Sequence, residues 1–189
     1  RLEHLIRDIN DAVYDKIMAS RDEDEETARE NAKIIGLSAI KYGDLSNQAS
    51  KDYVFDVDRF TSFEGNTGPY ILYTIVRIKS ILNRYVQEGG DLSTGKILPA
   101  VNASEKNLML QLSGFAAMVE NAFEEKAPHK ICAYIYEVSN AFNSFYHETK
   151  ILSEEDQAQK ESFLQLLQLT RRVLETSIDL LGFSAPDRM

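Results

Sequence analysis

The chain has 189 residues, of which 43% are hydrophobic and 27% charged, and its net charge is −9. This balance is typical of a globular protein and excludes a disordered chain, and the length allows one domain with an appendage or two small domains. No apolar run approaches the roughly 20 residues that span a membrane, and the first ten residues are charged where a signal peptide is apolar, so we expect a cytoplasmic protein without a membrane partner.

The first third of the chain predicts two helices followed by an irregular segment. Residues 2–19 place apolar side chains on one helical face, and a second helix is predicted over 26–35. From 36 to 66 the pattern breaks, because Gly, Ser, Asp and Asn alternate with aromatic residues, and we predict an ordered linker with short helical pieces. We therefore divide the chain into 1–62 and 63–189.

Downstream of the linker, the sequence predicts four long helices, over 70–87, 104–125, 128–148 and 153–181. Pro69 and Pro128 fit first helical turns, Ser153 with Asp156 fits a capping box, and Gly182 followed by Pro186 fits a helix stop. Apolar stripes at helical spacing, such as Leu108, Leu112, Phe115, Val119 and Phe123, predict an all-α fold, an antiparallel helix bundle.

The helix over 70–87 has two unlike faces. At about 100° per residue, one face collects Ile71, Ile75, Ile78 and Leu82 and is predicted to be buried. The opposite face carries Tyr70, Tyr73, Arg77 and Arg84. We expect Arg77 to be exposed, and substitutions on that face should change the free energy of unfolding by no more than about 1 kcal/mol.

The charge distribution leaves room for an RNA partner despite the negative average. Much of the acidic charge lies in residues 21–30 and 153–157, which predict solvated loops or helix starts. The helix over 70–87, whose outer face is called the Tyr/Arg face below, is locally basic, with Arg77, Lys79 and Arg84 against the single acid Glu88 just after its end.

Motifs for catalysis or metal binding are missing from this sequence. Its three histidines form no HExxH motif, and there is no phosphate-binding Gly-rich motif and no GxSxG. The only cysteine, Cys132, lies in the apolar run ICAYIY and is predicted to be a buried structural thiol. We predict neither catalytic nor metal-binding residues in this chain.

Several runs resemble the arginyl-tRNA synthetase family. The run AIKYGDLSNQASKDYVFDVDRFTSFEGNTGPYILYTIVRIKSIL resembles the junction between that family's catalytic domain and its anticodon-binding domain. Three later runs, LPAVNASEKNLMLQLSGF, PHKICAYIYEVSNAFNSFY and LGFSAPDRM, are similar to the DALR-type anticodon-binding domain. The resemblance covers roughly residues 36–189, and the helix before it fits the segment after the family's ATP-binding signature loop.

The HIGH-type and KMSKS-type motifs of class I synthetases are absent from this sequence. The resemblance therefore implies the C-terminal part of a longer arginine-tRNA ligase, in which 1–62 is the helical end of the catalytic domain and 63–189 is the anticodon-binding bundle. ATP and Mg²⁺ belong to the full-length enzyme, and this part is expected to be inactive alone.

The resemblance also implies which residues contact RNA. Tyr70, Tyr73 and Arg77 match positions that face the tRNA anticodon loop, as do Tyr146 and the terminal Met189. The chemistry agrees, because single-stranded loops are recognised by stacking bases on aromatic or guanidinium planes. The expected partner is tRNA(Arg), bound by a monomer that does not bind DNA.

Other interpretations of these residues remain open. The two tyrosines could pack against a neighbouring helix while Arg77 pairs with an acid. The same face could instead dock a protein, since Tyr and Arg are also hot-spot residues of protein interfaces, and the alternative function is a helical protein-interaction module. His129 and Lys130 are weaker RNA-contact candidates at a predicted helix start, where a solvated first turn is the simpler reading.

Overall fold

The computed structural model describes residues 1–20 and 23–189, which contain eight helices and no strand. The helices are α1 Leu2–Ser20, α2 Glu25–Leu45, α3 Val57–Phe60, α4 Gly68–Gln87, α5 Ala103–Ser113, α6 Phe115–Glu124, α7 Pro128–Glu148 and α8 Gln157–Leu181. The predicted all-α antiparallel bundle is confirmed. Within the described residues, none of these helices is both long and apolar enough to cross a membrane.

The predicted acidic run at 21–30 is described from Glu23 onward, and Arg21 and Asp22 lie outside the described residues. Its remainder forms a helix start, as predicted: the Asp24 carboxylate accepts from the Thr27 backbone N–H at 2.9 Å, and α2 begins at Glu25.

Helix α4 lies at the centre of the bundle and packs against α2, α7 and α8. Its predicted apolar face is buried, with Ile71, Ile75 and Ile78 fully inaccessible and Leu82 2% exposed. One hydrophobic cluster runs from Ile9 in α1 to residues beyond the end of α8, so the N-terminal helices share the core of the bundle.

Two contacts fix α2 against the start of α4 and against α7. Gly68 packs so closely on α2 that a Cβ there would overlap the Ser38 carbonyl oxygen. The buried Tyr42 hydroxyl lies within hydrogen-bond distance of the Asn66 side chain and donates to the Cys132 carbonyl oxygen at 2.9 Å. The segment that enters α4 is therefore held by α2 at two points.

The prediction that α2 ends at residue 35 was wrong, since the helix continues to Leu45. Ile35, Ala39 and Tyr42 extend the buried stripe, although Gly36 and Gly43 lie in the segment where the helical pattern breaks. Both glycines are buried on the packing face, where a Cβ would meet Asn10 and Phe60 respectively. They allow close helix contact and do not end the helix.

The predicted helix over 104–125 is two helices, which meet at Gly114. Leu108 and Leu112 are buried before the break, but Phe123 is 83% exposed, so the predicted stripe does not continue. After the break, α6 packs mainly on α7 and buries Ala122.

The last helix starts four residues later than the sequence predicted. Asp156, not Ser153, is its N-cap, and its carboxylate accepts from the Gln159 backbone N–H at 2.8 Å. The predicted stop at Gly182 is confirmed: this residue has a φ of 83°, and the Phe183 N–H donates to the Ile178 carbonyl oxygen at 3.1 Å, which closes a Schellman-type end.

Candidate functional site

The first turn of α4 sets the position of Tyr70. Thr67 is the N-cap, and its hydroxyl oxygen accepts from the Tyr70 backbone N–H at 3.2 Å. Pro69 occupies the first turn, where its missing N–H costs nothing. From this start, the spacing of three and four residues brings Tyr70, Tyr73 and Arg77 to one side of the helix.

The guanidinium of Arg77 lies between two aromatic rings. Its Cζ is 4.8 Å from the ring centre of Tyr73 and 4.8 Å from that of Tyr146 on α7. Nη2 also donates to the Tyr73 hydroxyl at 2.9 Å. The prediction that Arg77 is exposed was wrong, because these rings leave it half-buried.

Two asparagines of α7 complete the hydrogen bonds of this cluster. Asn143 accepts at Oδ1 from Arg77 Nη1 at 2.6 Å, and its Nδ2 donates to the Tyr70 hydroxyl at 3.0 Å and to Thr74 Oγ1 at 3.2 Å. The Tyr70 hydroxyl in turn donates to Asn140 Oδ1 at 2.8 Å.

Tyr70 is a half-buried member of the helix interface and not a free surface side chain. Its ring meets the ring of Tyr136 edge to face, with centres 5.8 Å apart, and burial raises the pKa of its hydroxyl. The expectation that substitutions on this face change the free energy of unfolding by no more than about 1 kcal/mol assumed a surface side chain, and Tyr70 is not one.

The cluster borders a cavity of about 640 Å³ between the N-terminal helices and the bundle. Tyr70, Tyr73 and Arg77 form one side, and Ile17, Ile35 and Phe63 supply apolar surface. The other polar side chains at its edge include Glu23, Asn31, Glu64 and His147. A planar, partly apolar group with hydrogen-bonding edges fits such a lining.

The C-terminal segment borders the cavity. Met189 lines it and packs against the core. Lys79 of α4 holds the preceding segment, since its Nζ donates to the Pro186 carbonyl oxygen at 3.3 Å and lies 3.7 Å from Glu175 and 3.8 Å from Asp187. The terminus is thus held against α4 and α8.

The charge near α4 differs from the prediction of a basic helix. Lys79 is paired with the two acids just described, and Arg84 is bonded to Glu88 at 2.9 Å. Among the α4 cations, Arg77 is the one that lines the cavity, and Glu23 and Glu64 line it too. The cavity is therefore not a general phosphate-binding surface.

The structure brings together most of the predicted site residues. Tyr70, Tyr73, Arg77 and Met189 line one cavity, and Tyr146 joins them through its contact with Arg77. His129 and Lys130 are not part of this lining, and Lys130 pairs with Glu125 at 2.6 Å.

Sequence reasoning missed the two asparagines and the wall that α1 and α2 supply. One signal could have pointed to the asparagines, because Asn140, Asn143 and Tyr146 recur every three residues on a helix whose other face is apolar. No local signal connects residues near 17–35 with the cavity, since that wall depends on tertiary packing.

Comparison with known proteins places this arrangement in a family. The sequence-family model for the DALR anticodon binding domain matches residues 71–189 of this chain. The arginine–tRNA ligase of Agathobacter rectalis is 63% identical over 197 residues, and that of Alkaliphilus oremlandii is 52% identical over 189 residues. Each alignment covers 100% of this chain but 33% and 32% of the relative, so the chain spans about a third of the length of these relatives.

Solved structures give the same result. The arginyl-tRNA synthetase of Thermus thermophilus superposes with a TM-score of 0.83 at 30% identity, covering 100% of this chain and 31% of that one. The arginyl-tRNA synthetase of Plasmodium falciparum gives a TM-score of 0.85 at 26% identity, covering 100% and 34%. Because the family model matches more than half of its residues, this chain belongs to the DALR anticodon-binding domain family.

Proposed function

We propose that this chain is the tRNA(Arg) anticodon-recognition part of an arginine-tRNA ligase, the enzyme that attaches arginine to its cognate tRNA with ATP. The family and the names of the relatives support this function. Tyr70, Tyr73, Arg77, Tyr146 and Met189 are the residues that contact the anticodon loop.

The observation that carries the proposal is the aromatic and guanidinium cluster at the edge of the cavity. Arg77 is held between Tyr73 and Tyr146, and Tyr70 lies beside it. Flat π surfaces and a guanidinium plane are what unstacked bases of an RNA loop stack upon, and each stacked base contributes roughly 1 to 3 kcal/mol.

The charges of the cavity favour a base over a phosphate as its occupant. Glu23 and Glu64 lie in the same lining as Arg77, and their carboxylates would repel a phosphate. A nucleobase carries no charge and offers both donors and acceptors on its edge. Arg77 and the Tyr73 hydroxyl supply donors in this lining, and the two carboxylates supply acceptors.

The remaining parts of the proposal concern the whole ligase. Residues 1–62 form the helical end of its catalytic domain and 63–189 the anticodon-binding bundle. ATP and Mg²⁺ bind elsewhere in the full-length enzyme, and this chain alone does not activate arginine. We further propose that it acts as a monomer in the cytoplasm and binds no DNA.

Titration of the chain with tRNA(Arg) and with an unrelated tRNA, each at two salt concentrations, tests the function. We expect preferential binding of tRNA(Arg) that weakens as salt rises, because RNA binding releases counterions. Equal affinity for both tRNAs, or no binding, would contradict the proposal. In that case the alternative function, a protein-interaction module that docks a partner on the Tyr/Arg face, would be favoured.

A further inference from the structure

We propose that Asn143 is a positioning residue, whose side-chain amide holds the Arg77 guanidinium between the rings of Tyr73 and Tyr146 and so presents it to the RNA. The expected effect of Asn143 on RNA binding rests on the proposed function. Its structural half, that Asn143 orders Arg77, can be tested without RNA.

The orientation of the Asn143 amide follows from its neighbours. A guanidinium has only donors, so the atom that faces Arg77 Nη1 at 2.6 Å must be the amide oxygen. The amide nitrogen then lies toward the Tyr70 and Thr74 hydroxyl oxygens. Both of these can accept, because the Tyr70 hydroxyl donates to Asn140 and the Thr74 hydroxyl donates to the Tyr70 carbonyl oxygen.

The hydrogen bonds therefore form one chain with a single direction. Each donor has an acceptor, from Arg77 through Asn143 and Tyr70 to Asn140, and α4 is joined to α7 at every step. Reversal of the amide would point its N–H groups at a cation that cannot accept. The amide is thus locked, and its oxygen is fixed on the inner side of Arg77.

This lock matters for binding because an arginine side chain has many rotamers. An Arg77 that is already ordered loses little conformational freedom when a ligand binds, which improves affinity without a new contact. Two of its N–H groups are used by Asn143 and Tyr73. Others remain for the ligand, since a guanidinium carries five.

Two other roles for Asn143 compete with this one. It lines the cavity and could contact RNA directly, or it could serve only to join the two helices. A direct contact would act independently of Arg77. A purely structural role would change stability and leave the order of Arg77 unchanged.

A double-mutant cycle separates the positioning role from direct contact. Asn143→Leu keeps the branched shape of the side chain and does not lower the helix propensity, but it removes both hydrogen-bonding ends. We expect it to weaken tRNA(Arg) binding about tenfold in the wild-type chain and less than about twofold in the Arg77→Ala background. Equal losses in both backgrounds would show that Asn143 does not act through Arg77 and would overturn the proposal.

The matched control is Ser139→Ala on the same helix. The Ser139 hydroxyl is fully buried and has no hydrogen-bond partner among the described residues, so its removal should leave tRNA affinity unchanged. Melting temperatures of all variants are measured alongside. If Asn143→Leu does not fold, Asn143→Ala replaces it in the same cycle.

The RNA-free test follows the Nη1 protons of Arg77 by NMR at low temperature, with ring contacts to Tyr73 and Tyr146 as markers. We expect those contacts in the wild type and their loss, with faster exchange of the Nη1 protons, in the Asn143 variant. Retention of the contacts would overturn the proposal. If Arg77→Ala binds tRNA(Arg) as tightly as wild type, the proposed function of this face fails, and the NMR result alone decides the role of Asn143.

Discussion

Replacing Tyr70 by Phe and by Ala should separate the effect of this residue on stability from its proposed role in RNA binding. The hydroxyl makes two hydrogen bonds across the helix interface, to Asn140 and from Asn143. The ring packs against Tyr136 and the core. The phenylalanine removes the hydroxyl alone, whereas the alanine removes the hydroxyl and the ring.

The expected magnitudes follow from these contacts. Each hydrogen bond is worth about 1 kcal/mol, so Tyr70→Phe should lower the free energy of unfolding by about 1 to 3 kcal/mol, depending on how well water satisfies the Asn140 oxygen. Tyr70→Ala also loses the edge-to-face pair, worth about 0.5 to 1.5 kcal/mol, and the half-buried ring, for a total of about 3 to 5 kcal/mol. A domain of ordinary stability should stay folded.

The binding changes should follow a different order. Tyr70→Phe keeps the stacking surface, and Thr74 still holds the Asn143 amide, so we expect tRNA(Arg) affinity within about threefold of wild type. Tyr70→Ala removes the surface and should weaken binding by about 5- to 150-fold, the cost of one stacked base.

Urea unfolding and tRNA titration on the same two proteins provide the assay. If Tyr70→Phe loses as much affinity as Tyr70→Ala, the hydroxyl and not the ring contacts RNA. If Tyr70→Ala binds like wild type at a temperature where it is folded, Tyr70 does not contact RNA. If neither substitution changes the free energy of unfolding, the two interface hydrogen bonds and the packing of the ring contribute nothing to stability.

Four further outcomes are expected. Lys79→Met removes the cation that contacts Pro186 and Asp187 in the C-terminal segment. Carboxypeptidase should therefore release Met189 several-fold faster, while the melting temperature changes little. An unchanged release rate would show that Lys79 does not hold this segment. Gly68→Ala should cost about 3 kcal/mol in urea unfolding, because its Cβ would meet the rigid backbone of Ser38, and wild-type stability would refute this close packing. Burial raises the pKa of Glu105, so the folded chain binds the carboxyl proton more tightly than the unfolded chain does. As pH rises from about 4 to 7, the wild type should therefore lose stability relative to Glu105→Gln. A stability difference that does not depend on pH would contradict this expectation. The purified chain should show no arginine-dependent pyrophosphate exchange, and exchange above background would disprove the prediction that it cannot activate arginine.

Helical periodicity was sufficient to predict most of the fold. The stripe of Ile71, Ile75 and Ile78 is fully buried as expected, because an amphipathic helix has only one way to bury its apolar face. Two of the failures in predicting helix ends occurred at glycines. Gly36 and Gly114 look alike in sequence, yet the first lies inside α2 against Asn10 and the second separates two helices. Whether a glycine ends a helix depends on what packs against it, which the local sequence does not contain.

The candidate site was predictable in its residues but not in its environment. Spacing placed Tyr70, Tyr73 and Arg77 on one face, and the structure keeps them together at the cavity. Their exposure was misjudged because it depends on α7, a helix about 60 residues further along the chain, whose Asn143 and Tyr146 contact them. A helical wheel describes one helix and contains no information about its neighbour.

The same limit explains why the local charge of α4 was a poor guide to the charge of the cavity. Helix α4 contains three cationic residues, but Lys79 and Arg84 each form an ion pair with acidic side chains. The acidic partners of Lys79 lie about 100 residues further along the chain. What remains at the cavity is one oriented guanidinium, flat aromatic surfaces and two carboxylates. Such a site gains its affinity from stacking and directed hydrogen bonds, so Arg77→Ala should reduce tRNA affinity while leaving the slope of affinity against salt nearly unchanged. A slope that falls by about one unit would instead show that Arg77 binds a phosphate.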